Sequence, residues 1–131
     1  MIIVDTSVWV DYFRGLETEQ TNWLEAELDR RRLAITDLIL CEILQGIQGE
    51  KEYRETREIL FTLEILSTGG QELALAAADN YRMLRKKGIT VRKTIDCLIA
   101  SFCILNHHSL LHNDSDFNAF ENELGLSVIH S

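Results

Sequence analysis

Met1-Ile2-Ile3-Val4-Asp5-Thr6-Ser7 is a short apolar run that stops on an acid and two hydroxyls. Ile2, Ile3 and Val4 are β-branched and consecutive, which suits a strand buried on both faces between layers of helix. Asp5 then stands where the strand ends, and Thr6 or Ser7 caps a helix that runs to about Arg14. A buried strand passing straight into a helix is the first half of a βαβ unit, so the chain is expected to fold as α/β from its first residues.

The rest of the sequence repeats that grammar. Trp23, Leu24 and Leu28 share one face of a helix expected over Glu17 to Arg31, followed by a strand from Leu33 to Thr36. Asp37 is the expected cap of a helix from Leu38 to Ile47, apolar almost all round apart from Glu42 and Gln45, and therefore buried or at an interface. A charged helix from Glu50 to Leu63, a strand from Glu64 to Leu66 and a helix from Gln71 to Lys87 follow. Thr94 caps an apolar helix from Ile95 to Leu105, a strand covers Ser109 to His112, Asp116 caps a helix from Phe117 to Leu124, and Ser127 to Ile129 is a last strand. Proline is absent, and the glycines fall where helices should end. Strands alternating with one or two helices imply a three-layer α/β/α domain, with a central parallel sheet covered on both faces, over residues 1–131 as a single domain.

A chain of 131 residues buries roughly two-thirds of its unfolded surface in one domain. Its 46% hydrophobic and 26% charged content is that of an ordinary globule, and the longest uncharged apolar run, Cys97 to Leu105, falls far short of a membrane helix. Asp5 interrupts the N-terminal apolar stretch, so no cleaved leader and no membrane partner are expected, and the expected location is cytoplasmic. Cys41, Cys97 and Cys103 are odd in number, lack CxxC spacing and sit among aliphatic residues, as buried reduced thiols would. His107, His108, His112 and His130 contain no His-Glu-x-x-His pair, which argues against zinc.

The net charge of −8 opposes a polyanionic partner at long range, but its distribution matters more. Between Arg82 and Lys93 lie six of the 13 basic residues and none of the 21 acids. Arg85 and Lys86 also complement the negative end of the helix that stops before Gly88, whereas Arg92 and Lys93 precede a helix start, where the dipole disfavours cations. These four are the candidate contacts to a phosphate backbone.

Four carboxylates stand beside stretches that are otherwise core: Asp5, Glu42, Asp96 and Asp114. A carboxylate in an apolar setting costs several kcal/mol unless a counter-charge or hydrogen bonds meet it. Ligands in open parallel sheets bind outside the carboxyl ends of the strands, and all four acids fall at strand ends or in the first turns of the helices that follow. Capping by itself accounts for an acid at Asp96, Asp116 and Asp5. Glu42 is different: it is past the cap, and Leu38 and Gly46 occupy the i±4 positions where a basic partner would stand. Acids gathered this closely stay ionised only around a cation, and oxygen-only ligands select Mg²⁺ or Mn²⁺.

Ile3-Val4-Asp5-Thr6-Ser7-Val8-Trp9, the Glu42 helix, Thr94-Ile95-Asp96-Cys97-Leu98-Ile99-Ala100 and Leu111-His112-Asn113-Asp114-Ser115-Asp116-Phe117 together resemble the PIN domains. Among these the chain is most similar to the VapC-type toxins of prokaryotic toxin–antitoxin pairs. The resemblance spans nearly the whole chain and lies in the order and spacing of the motifs. It implies that Asp5, Glu42, Asp96 and Asp114 are the catalytic and metal-binding acids, with Asp116 a second candidate ligand and Thr6 or Ser7 a supporting hydroxyl. Asp114 and Asp116 compete for one role; the strand-end position favours Asp114, since Asp116 doubles as a cap. The resemblance further implies an endoribonuclease using Mg²⁺ or Mn²⁺ and acting on tRNA or rRNA, a homodimer, and a VapB-type antitoxin that neutralises it.

Two other classes compete. An aspartyl phosphoryl-transfer domain of the dehalogenase type needs a DxD where this chain has Asp5-Thr6-Ser7. A metal-stabilised interaction module without turnover differs from the nuclease only in cutting no RNA.

Overall fold

The computed structural model describes residues 1–130. Its elements are β1 (Ile2–Val4), α1 (Thr6–Phe13), α2 (Glu19–Glu27), β2 (Leu33–Thr36), α3 (Asp37–Gln45), α4 (Glu50–Leu60), β3 (Glu64–Leu66), α5 (Gln71–Lys86), α6 (Thr94–Leu105), β4 (Ser109–Leu111), a 3₁₀ turn (Ser115–Phe117), α7 (Asn118–Leu124) and β5 (Ser127–Val128). All strand pairings are parallel, in the order β3-β2-β1-β4-β5.

Parallel neighbours require crossovers, and right-handed crossovers put α1 to α4 on one face of the sheet and α5 to α7 on the other. Most helix pairings divide the same way: α1 packs on α2 and α3, α3 on α4, and α5 on α6 and α7, while α3 also meets α6. Every residue of β2 is buried, as are Ile3, Val4, Leu110 and Leu111, which explains why the strands read as continuous apolar runs. Trp9 and Leu24 fill one side of the core, and Leu84, Ile99, Phe117 and Phe120 the other.

The order of strands reverses at β1, so the loops after β1 and β4 diverge and leave a crevice between them. Ile2 pairs with Ser109 and with Leu33, so the same register brings Asp5 level with His112 on one side and Thr36 on the other. The backbone N–H of Asp5 donates to the Leu111 carbonyl at 2.9 Å and locks this junction.

Four expected caps are corrected, for one reason. The cap is the last residue with extended backbone, and at these starts it precedes the hydroxyl or acid chosen from the sequence. Asp5 (φ −71°, ψ 157°) caps α1 in place of Thr6 or Ser7, and Thr36 (φ −97°, ψ 165°) caps α3 in place of Asp37. Lys93 occupies the cap position of α6 without a side-chain bond, so Thr94 lies inside the helix. Asp114, not Asp116, caps the 3₁₀ turn that leads into α7. Cys41 is a further correction: Cys97 and Cys103 are buried, Cys103 with its thiol pushed up to about 12 by burial, but Cys41 lies on the exposed face of α3. No helix among the described residues is long and apolar enough to cross a membrane.

Candidate metal centre

Asp5, Glu42, Asp96 and Asp114 line a single cleft of about 310 Å³ at the carboxyl ends of β1 and β4, together with Thr6, Ser7 and Lys93. Each arrives by a different route. Asp5 ends β1, Asp114 follows β4, Glu42 projects from the second turn of α3, and Asp96 from the first turn of α6. Oxygen atoms of Asp96, Asp114 and Asp116 all lie within 4.8 Å of one another, close enough to share one cation.

Asp5 is 3% exposed and accepts two hydrogen bonds on Oδ2, from the Ser7 backbone N–H at 3.0 Å and the Ser7 hydroxyl at 2.7 Å. Burial nevertheless pushes its carboxyl up to about 6; the bonds from Ser7 oppose the rise and the charge of Glu42 adds to it. Asp96 is pushed up to about 7, first by burial and then by the charges of Asp5 and Asp114, with Lys93 pulling the other way. Its Oδ2 is buried and has no hydrogen-bond partner among the described residues. A buried carboxylate oxygen without a donor, facing other acids, fits a divalent cation better than any protein group present.

The hydroxyls divide their labour. Thr6 Oγ1 donates to Glu42 Oε1 at 2.8 Å, joining α1 to α3 across the cleft. Ser7 Oγ donates to Asp5 and accepts the backbone N–H of Asn113 at 3.0 Å, joining the end of β1 to the loop after β4. Asp116 has a second attachment, accepting a 2.7 Å bond on Oδ1 from Arg92, so one of its oxygens is engaged by a protein cation.

The four expected backbone contacts separate. Lys93 lines the acidic cleft and Arg92 holds Asp116 at its margin. Arg85 and Lys86 instead border a larger groove of about 840 Å³ between α5 and α6, whose floor includes Ala77, Cys97 and Leu98. Asp11 and Asn113 line the acidic cleft and escaped the sequence reading; the Asn113 amide donates to Asp11 Oδ2 at 3.4 Å. The signal for Asp11 was present, because it stands four residues after Ser7 on one helix face.

A model of the PIN domain matches residues 2–123. A VapC ribonuclease of Mycobacterium bovis and ribonuclease VapC11 of Mycobacterium tuberculosis are each 34% identical to the chain over 121 residues, covering 90% of both partners. Among solved structures, VapBC2 from Rickettsia felis, bound to a DNA fragment from its promoter, superposes with a TM-score of 0.78 at 22% identity over 98% of each chain. FitAcB from Neisseria gonorrhoeae gives 0.77 at 18% identity over 99% of this chain and 97% of that one. At these identities the structures speak for the fold, and the mycobacterial relatives for the family.

Proposed function

Because the chain belongs to the PIN-domain family, within it to the VapC ribonucleases, we propose that it is an endoribonuclease toxin that hydrolyses RNA phosphodiester bonds, uses Mg²⁺ or Mn²⁺, and is neutralised by a cognate VapB-type antitoxin. The reading takes residues 1–131 as one domain, a homodimer as the working form, and tRNA or rRNA as substrate. The observation that carries the chemistry is the partnerless Oδ2 of Asp96 buried among Asp5, Asp114 and Asp116.

Asp5, Asp96 and Asp114 would hold the ion, with Asp116 available at its edge. A divalent ion supplies charge that polarises a phosphate oxygen and makes a neighbouring water easier to deprotonate. Glu42 supports the attack: Thr6 occupies its Oε1, which leaves Oε2 to orient the water and take its proton, unless Glu42 binds a second ion. In-line attack on phosphorus releases the 3′ oxygen, giving 5′-phosphate and 3′-hydroxyl ends. Lys93 and Arg92 beside the cleft, and Arg85 and Lys86 along the neighbouring groove, hold the RNA backbone and offset the acidic field.

Purified protein incubated with total tRNA and Mg²⁺ or Mn²⁺ is expected to cleave it, EDTA to stop cleavage, and Asp96→Asn to lower the rate by about 100-fold or more. Equal cleavage by wild type and Asp96→Asn would reveal a contaminant and overturn the nuclease. Metal uptake without any cleavage would favour the interaction module.

A further inference from the structure

His112 has no part in the chemistry above, although it directly precedes Asn113 and Asp114. It is 8% exposed, and its Nδ1 accepts the backbone N–H of Asp114 at 3.2 Å. A backbone amide can only donate, so Nδ1 presents its lone pair and the proton of the neutral ring sits on Nε2. Among the described residues that buried Nε2–H has no partner. A buried donor left unpaired loses its hydration with nothing in return. Packing does not explain why the cost is tolerated. The ring rests against Phe117 with centroids 4.9 Å apart, a contact phenylalanine would make equally well without an orphaned N–H. What phenylalanine lacks is the acceptor.

Three backbone amides in this loop are each held by a different acceptor: Asn113 by Ser7 Oγ, Asp114 by His112 Nδ1, and Asp116 by Asp114 Oδ1. Ser7 and Asp114 belong to the acidic cleft, whereas His112 grips the loop from the sheet side, at the register position level with Asp5. We infer that His112 is a positioning residue of the metal centre: through Nδ1 it anchors the Asp114 backbone and so sets how the Asp114 carboxylate enters the cleft. This rests on the nuclease reading, since the ion is the one proposed there.

The two properties of the ring separate by substitution. His112→Phe keeps the packing and loses the acceptor. His112→Asn loses the packing but offers Oδ1 to the N–H two residues on, the bond of an Asx-turn. Mn²⁺ titration of both variants and wild type, with thermal melts alongside, is the test. His112→Asn is expected to melt lower yet bind Mn²⁺ nearly as wild type does. His112→Phe is expected to melt near the wild-type temperature, since it removes one unpaired N–H and frees another, while its Mn²⁺ affinity falls about 10- to 100-fold, the usual effect of removing a group that orients a ligand. Undiminished Mn²⁺ binding by His112→Phe, or equal weakening in both variants, would overturn the assignment alone. Wild type that takes up no Mn²⁺ would overturn the metal reading and this inference with it.

Discussion

At Asp96 burial and charge oppose each other most openly. Its carboxyl at about 7 and that of Asp5 at about 6 both stand above the ordinary value of 3.8 that the unfolded chain retains. Between those limits the native protein binds more protons than the unfolded one, so its stability falls as pH rises through about 4 to 7. This is the reverse of an ion-paired aspartate. In EDTA the melting temperature at pH 5 is therefore expected to exceed that at pH 8, and Mg²⁺ to narrow the gap by stabilising the ionised acids. A melting temperature that climbs from pH 5 to pH 8 in EDTA would contradict this. Asp96→Asn removes the conflict: in EDTA at pH 8 it is expected to melt a few degrees higher, where ~1 kcal/mol corresponds to ~2–8 °C in domains of this size. On the proposed reading the same residue is a cost to the fold and a requirement for the chemistry.

At the scale of elements, the helix starts separate what a side chain suggests from what the backbone permits. Thr36 caps α3 because it is the last residue of β2 and still extended, and its buried hydroxyl accepts the Ile39 N–H at 3.1 Å. Asp37, the cap expected from the sequence, instead accepts the Thr68 hydroxyl at 2.7 Å and ties the loop after β3 to α3. Thr94 sits inside α6 and caps nothing. Urea unfolding should therefore show a loss of about 1 kcal/mol for Thr36→Ala, and a change within about 0.5 kcal/mol for Thr94→Ala. Equal losses would mean that the cap positions are misread. Helix type and strand type were legible throughout, since they follow from hydrophobic period. Caps were off by a residue or two, since they depend on φ and ψ at a junction that tertiary packing sets.

The whole molecule must reconcile a net charge of −8 with binding a polyanion. Its basic residues between α5 and α6 meet the cleft in two ways: Lys93 within it and Arg92 through Asp116, while Arg85 and Lys86 border the adjacent groove. In an Asp96→Asn background, Lys86→Glu and Arg92→Glu are each expected to weaken tRNA binding and to flatten its dependence on salt by about one unit of slope. Unchanged affinity and slope would make these residues ordinary solvated surface. The sequence by itself determined the α/β alternation, the parallel sheet and the four acids, because period, residue type and improbable placement are properties of the chain alone. Only the tertiary structure decided that Asp116 joins Asp96 and Asp114, that Arg92 engages it, that Ser7 ties β1 to the loop after β4, and that His112 faces Asp114. Such contacts join residues brought together by strand order and register, and β1 lies beside β4 only because the intervening crossover carries the chain from one edge of the sheet past its centre.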